Sequence, residues 1–349
     1  MLSDSALLDR GRGALLGLAI GDALGAPAEN MSREEIRAKW GRVEGFVSDE
    51  PAGTDDTEYA IFSSLGLIKH GSLLTHENVE EAWRNCLLPL GADSLRGAGF
   101  SERGTLENLR RGLRAPLSAQ HRHGWSDGLA MRATPFGVYA CGQPAEAARL
   151  VAVDGMISHE GEGIYGGMAV ASGVACAITG ASVESVVDAA LASVPEDSWT
   201  FRALARAVRT ARDLAPWDLH PGRAEQGLAQ AAVIPGYPWT DVAPEAVSLA
   251  FGAFVLADGN FAPAVLAAVN MGRDADTTAA IAGALAGARC GAPSLPPQWT
   301  QAIGPVAGTC LPSTAGIHIG TLAERLLNRR QRESPQWHAR SSLALQPSI

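Results

Sequence analysis

Apolar residues recur along this chain at helical spacing, and strand-like alternation is limited to short pieces. Over residues 5–28, Leu7, Leu8, Leu15, Leu16 and Leu18 supply the apolar positions, while Asp9, Arg10 and Arg12 stay outside. Gly17, Gly21 and Gly25 recur every four residues on one face, a spacing that suits close helix packing. Residues 30–53 collect Gly41, Gly45, Ser48, Pro51 and Gly53 and read as loop. A helix from Thr57 closes on Lys69-His70-Gly71, where basic residues and then glycine mark a C-terminus. Further helices are expected over residues 75–88, 144–154, 163–180, 246–257, 263–269 and 315–329, with two more between 183 and 215 separated by Pro195 to Ser198. Residues 216–245, with Trp217, Pro235, Tyr237, Pro238 and Trp239, predict a long aromatic loop of the kind that rims a ligand site. The chain reads as all-α, with one domain over residues 1–330 and a polar, disordered tail at 331–349.

Composition sharpens that picture. A 46% hydrophobic content supports a sizeable core, and 39 glycines beside only 6% aromatics point to helices approaching over small side chains. The formal charge of −9 argues against nucleic acid as a bulk partner. It leaves room for a nucleotide-like ligand, because a bound cation reverses the local field. The five cysteines are odd in number and lack CxxC spacing, and Cys86, Cys176 and Cys290 sit in apolar or helical stretches. They read as buried free thiols, which suits a reducing, cytoplasmic location. The first residues lack a basic signal-peptide region, and the stretch from Gly163 to Gly180 is too short and too rich in small residues to span a membrane.

The candidate chemistry concentrates in two turns of one design. Asp274-Ala275-Asp276-Thr277-Thr278 precedes a run of small helix formers, and Thr54-Asp55-Asp56-Thr57 leads into another helix. A lone acid at a helix start is usually a cap that complements the unpaired N–H groups there. Two such turns, each more acidic than a cap needs, could bring four carboxylates and several hydroxyls together. That donor set suits a hard cation such as Mg²⁺, Mn²⁺ or Ca²⁺ rather than Zn²⁺. Without a cation, converging carboxylates would push one another's pKa upward. Asp22 stands in a run of small apolar residues, where an unpaired carboxylate is costly, so it requires a partner such as a backbone N–H near one of the turns.

Other polar clusters read less sharply. Arg103, Arg110, Arg111 and Arg114 could face a phosphate, but a solvated helix face is preferred. His121 and His123 lack further spaced ligands, and Arg132 reads as a buried ion-pair partner. His159 lies on a glycine-rich loop before a helix start, a natural anion cradle. No P-loop, G-x-S-x-G or zinc signature occurs, and the glycine spacing at Gly11 falls inside a helix pattern, not after a strand.

The runs from Gly13 to Glu29, Gly53 to Thr57 and Met131 to Gly137, Ser158-His159, and the Asp274/Asp276 turn occur in an order that resembles the ADP-ribosylglycohydrolase family. The resemblance extends from about Gly11 to about Leu327. It implies a compact, orthogonal multi-helix bundle with a dinuclear Mg²⁺ or Mn²⁺ site gripping ribose hydroxyls. It implies hydrolysis of the glycosidic bond at ribose C1 of an ADP-ribosylated protein or small conjugate. By position, Thr54, Asp55, Asp56, Asp274, Asp276 and Thr277 correspond to the metal ligands, and Glu29 and Asp127 to candidate acid–base groups. The resemblance places Ser158, His159, Gly161 and Tyr165 on a ligand-contacting loop. Arg273 and Ala275 depart from the family pattern, and Arg273 would pair with an acid or meet a phosphate. A hydrolase of small N-ribosides and a non-catalytic binder are the competing readings; loss of carboxylates would mark the binder, and none is missing.

Overall fold

The computed structural model describes residues 3–91, 98–214 and 221–333. Among these, the first half of the chain forms α1 (Asp4–Gly25), α2 (Arg33–Trp40), α3 (Asp55–His70), α4 (His76–Cys86), α5 (Phe100–Arg110), α6 (Gly128–Met131), α7 (Thr134–Tyr139) and α8 (Pro144–Gly155). The second half forms α9 (Glu162–Ala177), α10 (Val183–Leu191), α11 (Trp199–Leu214), α12 (Pro221–Ala232), α13 (Ala243–Leu256), α14 (Phe261–Met271), α15 (Ala275–Cys290), α16 (Pro297–Ala302) and α17 (Leu322–Glu333). No strand occurs among the described residues; two isolated bridges, Ser32 with Gly272 and Ser126 with Val242, are the only ladder-like pairings there.

The spine is the antiparallel pair α1 and α15, whose contact is the most extensive in the molecule. Its cause is the glycine face of α1. A Cβ at Gly13, Gly17, Gly21 or Gly25 would stand 2.3, 2.2, 2.1 and 2.4 Å from the carbonyl oxygens of Gly287, Gly283, Ala279 and Ala275. Backbone meets backbone, as the four-residue spacing predicts. Because the helices run in opposite senses, the C-terminal end of α1 lies against the first turn of α15, and both ends carry acids. Helices α9, α13 and α14 pack on α15, and α3, α7 and α17 on α1.

Two expected loops contain helices. Within residues 30–53, Ser32 and Glu35 form a reciprocal cap, with Ser32 N–H donating to Glu35 Oε2 at 2.7 Å and Glu35 N–H to Ser32 Oγ at 3.2 Å. That Ser-x-x-Glu signature starts α2, and Ile36 anchors it in the core. Within residues 216–245, Ala224, Leu228 and Ala232 fall four residues apart and bury one face of α12. The expectations for Trp217 and for residues 334–349 concern positions outside the described residues; α17 itself continues to Glu333, beyond the expected 329. All five cysteines are unpaired, but only Cys310 is buried and the others are half-buried, so the expectation of buried thiols fails at Cys86, Cys176 and Cys290. Helix α9 is buried along most of its length, and among the described residues no helix is long and apolar enough to cross a membrane.

Candidate functional site: two Asp/Thr turns at one cleft

The first turn is assembled around Asp22 of α1. Thr54 donates its N–H to Asp22 Oδ2 and its hydroxyl to Asp22 Oδ1, each at 2.8 Å. Thr57 adds an N–H at 3.1 Å and a hydroxyl to Oδ2. The buried carboxylate thus receives the backbone N–H that the sequence required, together with three further donors. Gly53 leaves room for this contact, since a Cβ there would lie 2.4 Å from Thr57 Oγ1 and 3.0 Å from Asp22 Oδ2. Burial raises the Asp22 pKa to about 6 even against these hydrogen bonds.

The second turn is fixed by the segment after α1. Asn30 N–H donates to the Arg273 carbonyl and Arg273 N–H to the Met31 carbonyl, both at 2.8 Å. Gly272 is required there: its φ is 72°, and a Cβ would stand 2.3 Å from Met31 O. Asp274 then takes the N-cap position of α15, and its carbonyl accepts from Thr278 N–H at 3.0 Å. The two turns meet where Thr277 Oγ1 donates to Asp56 Oδ1 at 3.1 Å, across 221 residues of sequence.

They open into a cleft of about 720 Å³. Glu29, Thr54, Asp55, Asp56, Asp127, Asp274, Asp276 and Thr277 all line it. Glu102, Asp241 and Phe100 join them, three residues that the sequence reading did not single out for the site, together with Trp239 at the rim. The rim includes part of the expected aromatic loop, with Tyr237 and Trp239 rings 5.4 Å apart and Phe100 stacked on His123 at 5.0 Å.

Crowded acids dominate the electrostatics. Burial pushes Asp55 well above its usual range, and Asp276, Glu102 and Asp22 add to the effect. Asp56 is raised by burial and then by Asp22, Asp276, Asp55 and Asp274. Asp274 is raised by burial, Asp127 and Glu29, and Asp276 by burial, Asp274 and Glu29. Burial also raises Asp127, with Asp241 next in effect, and it raises Glu29. Asp56 Oδ2, Asp276 Oδ1 and Asp127 Oδ2 are buried and receive no hydrogen bond from the described residues.

The remaining sequence candidates stand behind the wall. Ser158, His159, Gly161, Tyr165 and Arg273 are not among the residues lining the cleft. Ser158 Oγ receives Arg132 Nη2 at 2.8 Å and meets His159 Nδ1 at 2.8 Å; His159 Nε2 meets the cleft-lining Ser126 Oγ at 3.1 Å. Burial, followed by the Arg132 charge, holds the His159 pKa well below normal, so this imidazole is a neutral brace. Gly161, with φ 48°, packs against Trp125, and Tyr165 is half-buried at the core edge. Arg132 pairs with Asp154 at 2.9 Å and Glu102 at 3.3 Å, the buried ion-pair role expected of it. Arg273 pairs with Glu245 at 2.6 Å and donates to the carbonyls of Tyr237 and Trp239, so it meets an acid rather than the cleft.

An all-helical scaffold opening on such an acid-lined cleft is that of a glycohydrolase. The chain belongs to the ADP-ribosylglycohydrolase family, whose model matches residues 3–336. It is 30% identical over 301 residues to an uncharacterized protein of Archaeoglobus fulgidus, covering 84% of this chain and 90% of that one. It is 26% identical over 302 residues to the ADP-ribosyl-dinitrogen reductase glycohydrolase of Rhodospirillum rubrum, covering 83% and 89%. To the ADP-ribosylarginine hydrolase Tri1 of Pseudomonas putida GB-1 it is 27% identical over 341 residues, covering 94% and 80%. A solved chain of an ADP-ribosylglycohydrolase-related protein complex shares the fold at a TM-score of 0.63 and 24% identity, covering 93% of this chain and 99% of that one.

Proposed function

We propose that the chain hydrolyses the glycosidic bond at ribose C1 of an ADP-ribosylated protein or small ADP-ribosyl conjugate, with two Mg²⁺ or Mn²⁺ ions held between the two turns. The observation that carries this reading is the meeting of the turns through Thr277 and Asp56, with buried carboxylate oxygens left bare beside it. Among the described residues no group of three or more His, Cys, Asp or Glu side chains is placed to hold a metal ion by itself. The fitting donor set therefore mixes Asp55, Asp56, Asp274 and Asp276 with the hydroxyls of Thr54 and Thr277. Both hydroxyls donate their proton to a carboxylate, which leaves oxygen lone pairs for a hard cation. Bound there, the ions would orient a ribose diol and lower the pKa of water.

The chain's own residues then divide the work. Glu29 Oε1 accepts from Asn30 Nδ2 at 3.0 Å, and its second oxygen is assigned to take the proton of the attacking water. Its raised pKa moves it toward the range that suits a base near neutrality. Asp127 is the second acid–base candidate, aimed by the pairing of its N–H with the Asp241 carbonyl at 2.9 Å. The surrounding carboxylates favour the positive charge that develops on the ribose in an oxocarbenium-like transition state. Ser158 and His159 contribute by holding Ser126, and Arg273 by holding the Tyr237–Trp239 rim.

The test, over a panel of substrates, is release of ADP-ribose from ADP-ribosylated proteins and small ADP-ribosyl conjugates, and of ribose from nucleosides, each with and without EDTA. Release from an ADP-ribosylated substrate that EDTA stops, with strong inhibition by free ADP-ribose, is the expected result. Turnover of nucleosides alone, with weak inhibition by ADP-ribose, would move the assignment to a small N-riboside hydrolase. Binding of ADP-ribose without turnover of any panel member would leave a non-catalytic binder.

A further inference from the structure

A second cavity, of about 340 Å³, lies between α2 and α12 and shares no lining residue with the acidic cleft. Arg33, Arg37, Arg42 and Arg223 line it, and Glu225 is the one acid beside them among the described residues. Arg42 is paired with Glu225, which is buried. Arg33 Nη2 donates to the Gly222 carbonyl at 2.6 Å, while its buried Nε has no hydrogen-bond partner. Arg37 and Arg223 are exposed and carry no ion pair or side-chain hydrogen bond among the described residues.

Among the described lining residues four guanidinium groups gather against one carboxylate, and like charges held this close repel one another. Arginines with no counter-charge separate into solvent unless an anion joins them. Here the buried Ile36 of α2 and the buried Ala224 and Leu228 of α12 fix the two helices that carry three of the four, so the cluster is held in place by the fold. Guanidinium is planar, weakly hydrated and offers paired N–H groups at the spacing of two phosphate oxygens. We propose that this cavity is a binding site for the phosphate of a small molecule, separate from the catalytic cleft. The forks of Arg37 and Arg223 supply the donors, Arg33 adds its charge, and the Arg42–Glu225 pair closes the floor. Inorganic phosphate, pyrophosphate and phosphate esters share this chemistry. The proposal stands independently of the glycohydrolase assignment.

The experiment is calorimetric titration of pyrophosphate and of inorganic phosphate into the full-length chain in EDTA, at matched ionic strength. The wild type, Asp276→Ala and the pair Arg37→Glu with Arg223→Glu are compared. Wild type and Asp276→Ala are expected to bind one pyrophosphate equally, and the charge-reversed protein at least about tenfold more weakly, since each hydrogen bond to a charged group is worth about that factor or more. Because both arginines are exposed, its melting curve should match the wild type. Should the charge-reversed protein melt early, Arg37→Gln with Arg223→Gln takes its place and should likewise bind at least about tenfold more weakly. Tighter binding of pyrophosphate than phosphate would extend the site to diphosphates, and the reverse order would fix it on a single phosphate. No heat from either anion with the wild type, equal binding by the charge-reversed protein, or loss of binding in Asp276→Ala would overturn the assignment.

Discussion

The turns Thr54–Thr57 and Asp274–Thr278 look alike in sequence and face each other across one cleft, yet their hydrogen bonding is opposite. The first is saturated from behind: Asp22 gathers four donors from Thr54 and Thr57, which fixes the start of α3 to α1. The second is held from behind by backbone pairing with Asn30 and Met31, meets the first through Thr277 Oγ1 and Asp56 Oδ1, and leaves Asp276 Oδ1 and the Thr278 hydroxyl without partners among the described residues. Acid count alone would make them equivalent. The difference is that the first turn rests on a buried carboxylate outside the cleft lining, Asp22, whereas the second has no such support among the described residues; each keeps one bare aspartate oxygen, Asp56 Oδ2 and Asp276 Oδ1. Removing an acid should therefore have different consequences on the two sides.

The largest effect is expected for Asp276→Ala. Turnover should fall by more than the 10–100-fold typical of an outer-shell partner, while the EDTA-treated protein melts no earlier than wild type because a crowded charge has gone. Asp22→Ala should show the converse pattern. Its loss strands buried donors, costing about 2–4 kcal/mol in a denaturant titration, with turnover reduced about 10–100-fold through displaced ligands. Equal stability losses in both variants would erase the distinction between the turns, and wild-type activity in purified Asp276→Ala would remove the metal assignment.

Glu29→Gln tests whether a group outside both turns carries the proton. It preserves size and hydrogen bonding, so binding of Mn²⁺ and ADP-ribose should survive while kcat drops by about 10²–10⁴, the usual contribution of a general acid–base group. Loss of Mn²⁺ binding would instead make Glu29 a ligand and move the proton to Asp127. Full turnover would leave Glu29 as a helix-ending glutamate with neither role.

Much of this geometry was legible in the chain. The four-residue glycine spacing foretold close helix packing on that face of α1, though not its partner α15, and the apolar setting of Asp22 foretold that it needs donors. Both signals are local: a missing Cβ and a buried charge constrain the structure wherever the partner lies. Glu102 and Asp241 carried no such mark, because an acid on an amphipathic helix or in a loop looks like a solvated one until a distant segment covers it. Arg132 held the only hint, since a buried guanidinium needs acids, and Glu102 is one of the two it found. Of the two readings of Arg273, the ion pair is the one found, and the sequence left the choice open for a related reason. Its neighbours in sequence are the cleft acids, but its φ of 68° accompanies a side chain paired with Glu245 outside the cleft.

A smaller effect concerns the acids collectively. Asp22 has its pKa raised to about 6, and Asp55, Asp56, Asp274 and Asp276 are raised further above the ordinary range. Between the unfolded carboxylate value of about 3.9 and these folded values, the native state binds more protons, so stability falls as pH rises. In EDTA the melting temperature should decline from pH 5 toward pH 7, measured by circular dichroism. Mg²⁺ or Mn²⁺ should reverse that slope and add about 2.7 kcal/mol at a hundredfold excess over Kd. Curves identical with and without metal, together with metal analysis finding none bound, would count against a hard-cation site.

The smallest effect is expected at Arg273, where the second turn meets the aromatic rim. One guanidinium reaches Glu245 and the carbonyls of Tyr237 and Trp239, three acceptors that an ammonium cannot span together. Trp239 lines the cleft, whereas Arg273 does not. Loosening the brace should therefore weaken substrate binding without touching the carboxylates. Arg273→Lys is expected to raise KM about 3–10-fold, the worth of one or two net hydrogen bonds, with kcat nearly unchanged. Arg273→Gly separates brace from backbone: it relieves the left-handed φ while removing the side chain, so it should raise KM as much or more without loss of turn stability. A fall in kcat with constant KM in Arg273→Lys would show that the guanidinium acts on Asp274 and Asp276 instead. In that case the second turn would be supported by a side chain from behind, as the first is by Asp22, and the contrast between the turns would shrink to the identity of the supporting charge.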